Sequence, residues 1–202
     1  DYSHDFTKGL TTLFNDVGLD WRDMYLEAAA HVVTYDHAYT DAYWANEEKY
    51  WSYNTNDMVT NSESYFMNHP DIQDAKYAAV YSTQGTQGSW VASRPQVLPG
   101  NWGHNVIKLD VNKNTNYDIL FRHDKNNLEF SEFRTQVVIF DAISGTREYI
   151  SMPVAKHGQE SQISVEAKTG QTLFLVIAQT PSENHDRWTF DFHQYSYQIT
   201  AQ

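Results

Sequence analysis

Three residues in the first half of the chain have the types and spacing of metal ligands. Glu27 and His31 are four residues apart, so a helix would place both side chains on one face, and Asp36 follows closely. Carboxylate and imidazole groups are ligands of zinc. The surrounding segment is rich in alanine, where a Glu–His pair is more often packed or solvated. The sequence therefore allows a dispersed zinc site at Glu27, His31 and Asp36 without defining one.

A second set of oxygen ligands occurs in the middle of the chain. Asp110, Asn112 and Asn114 alternate in the way that opens a calcium-binding loop. The loop pattern requires glycine at its sixth position and glutamate at its twelfth, where this chain has Thr115 and Phe121. An Asn-rich hairpin turn explains the same residues. Calcium is thus the second metal that the sequence allows.

Self-contained catalytic motifs are absent from the sequence. No two of the nine histidines are four apart and none precedes glutamate, which excludes the HExxH motif of zinc peptidases. There is no Gly-x-Ser-x-Gly motif, no phosphate-binding glycine loop and no cysteine. We expect the chain alone to be inactive, and a hydrolase with a dispersed metal site remains an alternative.

Tryptophans are the candidates for ligand binding. Trp44, Trp51, Trp90 and Trp102 could stack on sugar rings beside Asn, Asp and Gln side chains. With 15% aromatic residues, most aromatic side chains must form the core. Trp102 lies in a glycine-containing loop, where it could be an exposed platform or, as we favour, a buried anchor.

Composition limits the partners. The formal net charge is -12 and there is no run of Lys or Arg, so nucleic acid is not an expected partner. The lack of cysteine excludes disulfides and cysteine-bound zinc. No apolar stretch reaches the roughly 18 residues that a membrane span requires.

Helical periodicity is confined to the N-terminal part. Phe6 to Val17 follow helical spacing, with Gly18 as a stop. A second helix is predicted over 21–33, capped by Asp20. A third, short helix is predicted near 41–51.

Alternating strands dominate the rest of the chain. Residues 76–82 could form an extended edge segment, and seven further strands are separated by turns rich in Asn, Gly and Thr. The strands are predicted at 105–111, 116–123, 134–142, 147–153, 161–167, 172–179 and 189–200. This pattern predicts an α+β protein: a helical segment (1–75), a linker or edge strand (76–94) and an antiparallel, jelly-roll-like β-sandwich domain (95–202).

Three stretches resemble a known family. Residues 21–36 run from an acidic, aromatic start through three alanines to Thr-Tyr-Asp, residues 95–109 run from Pro-Gln to Asn-Val-Ile-Lys-Leu, and residues 172–181 form an apolar strand. They are similar to the C-terminal part of secreted bacterial Svx/AvrXca-type proteins, which look like gluzincin metallopeptidases linked to virulence on plants. In that family the HExxH motif lies upstream of the helix matched here, so no catalytic residue carries over.

The resemblance implies a non-catalytic accessory module of a secreted metallopeptidase-like protein. Its partner would be an upstream catalytic domain, or an extracellular protein or polysaccharide. The alternative is a carbohydrate- or glycoprotein-binding β-sandwich module, which would act through the tryptophans named above.

Overall fold

The computed structural model describes residues 13–14, 16–34, 78–93, 98–99, 103–125, 131–181 and 193–202. Within these ranges there is one long helix, α1, at Trp21–Val33. Ten strands follow it: β1 Ala78–Thr83, β2 Val91–Ala92, β3 His104–Asp110, β4 Thr115–His123, β5 Ser131–Asp141, β6 Thr146–Ser151, β7 Ala155–Lys156, β8 Glu160–Ala167, β9 Thr172–Pro181 and β10 Tyr195–Ala201.

Helix α1 has the predicted bounds because its N-terminus is capped. The carboxylate of Asp20 accepts a hydrogen bond from the backbone N–H of Arg22 at 2.9 Å, which satisfies one of the free donors of the first turn. Ahead of it, Gly18 has a φ of 74° and separates the helical residues 13–14 and 16 from α1. The predicted helix near 41–51 lies outside the described residues.

The strands form two sheets. The six-stranded sheet has the order β1-β3-β9-β5-β6, with β7 also paired to β5, and the four-stranded sheet has the order β2-β10-β4-β8. Strand β1 runs parallel to β3, and the other pairs are antiparallel. The predicted α+β sandwich is confirmed, and the predicted extended segment is the edge strand β1. Both sheets include residues before position 95, through β1 and β2.

Three layers result from this arrangement. Apolar residues from both sheets fill the space between them, and a second apolar cluster lies between the six-stranded sheet and Leu26, Ala29, Ala30 and Val33 of α1. Strand β5 is buried on both faces from Ser131 to Phe140 because the helix covers its outer side. Its alternate residues therefore face different cores: Phe133 and Val137 face the other sheet, and Val138 and Phe140 face the helix.

The segment that carries Asn112 and Asn114 is not a hairpin turn. It connects β3 of one sheet to β4 of the other, and it lies beside the β8–β9 connection, which makes the same crossing. Backbone hydrogen bonds join the two connections, from Val111 N–H to the Gln171 carbonyl at 2.9 Å and from Gly170 N–H to the Val111 carbonyl at 3.0 Å. The hairpin interpretation was wrong because strand alternation does not reveal which sheet a strand joins.

Candidate ligand-binding face

The outer face of the four-stranded sheet is polar. In β4 the buried side chains Tyr117, Ile119, Phe121 and His123 alternate with residues that point away from the core. The outer positions of β4, β8 and β10 are half-buried or exposed, and most are polar. They include Asn116, Asp118, Leu120, Arg122, Glu160, Gln162, Ser164, Glu166, Gln198 and Thr200. We call this surface the outer sheet face.

An aromatic–cation contact lies at one end of this face, where β4 ends. The guanidinium carbon of Arg122 lies 4.4 Å from the centre of the half-buried Trp90 ring, a cation–π contact. Arg122 also forms an ion pair with Glu160, with 3.8 Å between Nη1 and Oε1. These contacts use residues from the segment before β2 and from β4 and β8. They fix the orientation of an indole ring beside a row of hydrogen-bonding side chains.

Asp118 is held as a carboxylate in the middle of the face. The hydroxyl of Ser164 donates to its Oδ1, and the side-chain amide of Gln202 donates to its Oδ2 at 2.7 Å. Both hydrogen bonds favour the ionised form, so they hold the pKa of Asp118 below its usual range. The face therefore presents a fixed acceptor near neutral side-chain amides.

The predicted zinc ligands are only partly visible. Nε2 of His31 lies 3.8 Å from Oε1 of Glu27, and the His31 ring stacks on Tyr149 with 4.1 Å between ring centres. Asp36 lies outside the described residues. Within the parts of the chain that are described, no group of three or more His, Asp or Glu side chains is placed to hold a metal. A zinc site that includes Asp36 stays a prediction.

The predicted calcium ligands have other contacts. Asp110 pairs with Lys108 at 3.6 Å, and Oδ1 of Asn114 accepts a hydrogen bond from the backbone N–H of Thr169 at 2.7 Å. The Asn114 oxygen thus fastens the β8–β9 connection to the β3–β4 connection. Asn112 is exposed in the same crossing. These contacts account for two of the three residues structurally, and calcium binding stays a prediction.

Of the four tryptophans proposed for ligand binding, the structure describes Trp90. Trp44, Trp51 and Trp102 lie outside the described residues. The sequence did not identify Arg122 as a neighbour of Trp90, or Glu160 as the ion-pair partner of Arg122. The alternation of polar and apolar residues in β4 and β8 is the signal that could have indicated an open face, but the partners of the ring depend on how the strands pair.

Three histidines meet at one end of the sandwich. His123 ends β4, His157 follows β7, and His193 precedes β10. The rings of His123 and His157 are 5.8 Å apart, and Nε2 of His123 shares a hydrogen bond of 2.9 Å with the Ser131 hydroxyl. Burial, followed by the neighbouring His193 and His157, lowers the pKa of His123 from 6.5 to about 4. His123 is therefore neutral in the folded protein over most of the pH range.

We expect acid to weaken the fold through His123. Below pH 6.5 the unfolded chain gains a proton at this residue, and the folded chain does so only near pH 4. The free energy of unfolding should fall by up to about 3 kcal/mol as the pH decreases through this window. Urea unfolding at several pH values measures the slope. His123→Gln should make the slope shallower, and the slope that remains should come from His104, because burial lowers its pKa to about 4 as well. Equal slopes for the His123 variant and the parent protein would contradict this assignment.

Together, the fold and this face define a β-sandwich module covered by a helix on one side and polar on the other. Residues 18–202 match the model of the family described as "Family of unknown function (DUF6055)", and the chain belongs to that family. No curated protein matches the chain. Among the described residues, no helix combines the length and apolar character needed to cross a membrane.

Several solved structures are similar to the chain at low identity. The pre-peptidase C-terminal domain of a collagenase from Bacillus anthracis is 14% identical, with 61% of this chain and 94% of that chain covered and a TM-score of 0.36. The surface-associated copper-binding protein CorA of Methylomicrobium album BG8 is 8% identical, covers 62% and 100%, and has a TM-score of 0.39. The C-terminal family 22 carbohydrate-binding module of Clostridium thermocellum Xyn10B is 14% identical, covers 58% and 87%, and has a TM-score of 0.31. Similarity at this level of identity and TM-score gives no information about what this chain binds.

Proposed function

We propose that the chain is a non-catalytic accessory module that binds a neutral extracellular polysaccharide on the outer sheet face. The observation that carries this proposal is the Trp90 ring, fixed by Arg122 beside a row of polar side chains. A sugar ring presents both an apolar C–H surface and hydroxyl groups. An indole ring provides an apolar surface on which the C–H face of the sugar can stack. Amide, hydroxyl and carboxylate groups provide hydrogen-bond partners for the sugar hydroxyls.

The charges of the face favour a neutral polymer over an acidic one. Asp118, Glu160 and Glu166 contribute three carboxylates, and Arg122 contributes one cation that is already paired with Glu160. The whole chain, including this face, has a formal net charge of -12. A polyanion would be repelled both at long range and at the face itself. Neutral chains with many hydroxyl groups avoid this repulsion and can donate to the carboxylates.

The kind of protein in which this module acts is also part of the proposal. The resemblance of residues 21–36, 95–109 and 172–181 to Svx/AvrXca-type proteins supports a secreted protein in which this module acts beside an upstream catalytic domain. In such a protein, binding to a polymer would keep the catalytic domain close to its substrate and so raise the effective substrate concentration. The module itself would supply no reacting group.

The test compares binding of three soluble polymers: the neutral xyloglucan and arabinoxylan, and the acidic polygalacturonate. We expect affinity electrophoresis to show retardation by a neutral polymer and none by polygalacturonate. Trp90→Ala should weaken the binding at least about tenfold, the size expected for an aromatic anchor.

The control is Ile143→Ser, which removes an apolar side chain that is 97% exposed in the β5–β6 turn, away from this face. It should bind as the parent protein does. Failure of both neutral polymers to bind, or unchanged affinity after Trp90→Ala, would overturn the proposal.

A further inference from the structure

A cleft lies on the opposite side of the sandwich from the outer sheet face. It has a volume of about 460 Å³ and opens between the first turns of α1, strand β5 and the segment that joins β6 to β7. Its apolar walls are Leu26, Met152, Pro153 and Val154. Its polar lining is Asp23, Glu27, Arg134, Gln136 and Ser151.

The charges around the cleft leave an excess of carboxylates. Arg134 pairs with Asp20, Asp23 and Glu132, and Arg22 pairs with Asp20 and Glu132. With Glu27 at the rim, this group contains four carboxylates and two guanidinium groups, a balance of two negative charges among these six side chains. Three carboxylates surround the Arg134 guanidinium and offset its charge, and its Nε–H has no acceptor among the described residues.

A buried amide in the lining also lacks a donor among the described residues. Gln136 is 6% exposed, and its Oε1 accepts no hydrogen bond from the part of the chain that the structure describes. Its Nε2 makes one long bond of 3.4 Å to the Ser151 hydroxyl. The terminal torsion of glutamine is soft, so the amide can turn its oxygen towards a donor that enters the cleft. Such an oxygen gains most from an ammonium or guanidinium group, since hydrogen bonds to charged groups are the stronger ones.

From these features we propose that the cleft binds the side chain of a lysine or arginine residue presented by a partner polypeptide. The aliphatic stem packs against Leu26, Met152 and Val154. The charged head reaches the carboxylate of Glu27 and the Gln136 oxygen. A long basic side chain has an apolar stem and a charged head, and the cleft has an apolar wall and a polar, acidic lining that complement these two parts. The site is independent of the outer sheet face, so polymer binding and this interaction can be tested separately.

The probes are a five-residue peptide with a central lysine between alanines, the same peptide with norleucine, and the same peptide with glutamate. Each is added to the whole isotope-labelled chain, and amide signals are followed by NMR. We expect the lysine peptide to shift the signals of Gln136, Ser151 and Val154 with a dissociation constant on the order of 1 mM. The norleucine peptide, which keeps the stem, should bind at least about tenfold more weakly, and the glutamate peptide should not bind.

Two matched variants test whether the carboxylate of Glu27 binds the charged head of the lysine side chain. Glu27 and Glu160 have nearly equal side-chain exposure, 55% and 54%, and they lie on opposite sides of the molecule. Glu27→Gln should weaken binding of the lysine peptide about fivefold or more, and Glu160→Gln should leave it unchanged. The proposal is overturned if the lysine peptide produces no saturable shifts at the cleft, if norleucine binds equally well, or if both variants behave alike.

Discussion

Replacing Arg134 by methionine is expected to lower the free energy of unfolding by about 3–5 kcal/mol, the range for removing one partner of a buried ion pair. The Arg134 side chain is 7% exposed, and its Nη2 atom lies 2.9 Å from Asp20 Oδ2 and 3.0 Å from Glu132 Oε1. Its Nη1 atom also donates to Asp23. This guanidinium group therefore links the N-terminus of α1 to strand β5.

The loss is large because the carboxylates remain. Glu132 is buried and would keep one partner, Arg22, at 3.3 Å. Burial alone would raise the pKa of Asp20, but hydrogen bonds from Arg22 and the charges of Arg134 and Arg22 lower it. Methionine fills a similar volume without replacing any of these interactions, so desolvated negative charges would repel one another at the helix terminus.

Chemical denaturation measures the effect, and Arg122→Met is the control. Arg122 is 41% exposed and pairs with Glu160 at 3.8 Å, so its loss should cost no more than about 1 kcal/mol. Changing Glu132 to leucine together with Arg134→Met should recover part of the stability, since replacing both members of a buried pair is often tolerated. Equal losses for the Arg134 and Arg122 variants would show that the buried network adds nothing.

Local signals predicted helix α1 and most of the strands. A capping Asp20 and a run of good helix formers fixed its bounds, and alternation identified β4 and β8, each of which has one face in the core and one outward. Strand β5 was predicted to start three residues late, at 134 rather than 131. Its first residues are polar and nevertheless buried: Glu132 and Arg134 pair with Arg22 and Asp20 at the start of α1, and Ser131 contacts His123 of the other sheet. The strands β2 and β7, with two residues each, are too short for any periodicity.

The two candidate sites could be predicted from the sequence less well than the helix and strands. Trp90 could be proposed from its residue type alone. Its contact with Arg122, and the pairing of Arg122 with Glu160, follow from the strand order β2-β10-β4-β8, which joins segments far apart in the chain. The cleft likewise combines α1 with residues 151–154. The sequence singled out Glu27 as a candidate metal ligand, and nothing in either segment predicted that the two segments meet. A sequence pattern predicts the helix or strand to which a residue belongs. Both candidate sites, however, are formed where several helices and strands pack together, which such patterns do not predict.

The second large effect is expected from Phe133→Ala. Phe133 on β5 is fully buried and makes a triangle of aromatic rings with Phe121 and Tyr195 of the other sheet. Ring centres are 5.4 Å apart for Phe121–Phe133 and 5.6 Å for the other two pairs. These rings hold the sheets together at the end of the sandwich that carries the histidines. Truncation leaves a cavity between two sheets whose strands are fixed by their ladders, so we expect a loss of about 3–5 kcal/mol.

Two further variants separate this packing effect from general sensitivity to change. Phe133→Leu keeps most of the volume and removes the ring contacts, so it should cost clearly less than alanine. Val91→Ala, at a position 36% exposed in β2, should change stability by no more than about 0.5 kcal/mol.

The His123 ring packs edge-on against Phe133 at 4.9 Å. Water that enters the alanine cavity should therefore raise the pKa of His123 towards 6.5 and reduce the acid sensitivity of the fold. A Phe133→Ala protein with the parent's stability would show that the two sheets do not depend on this triangle.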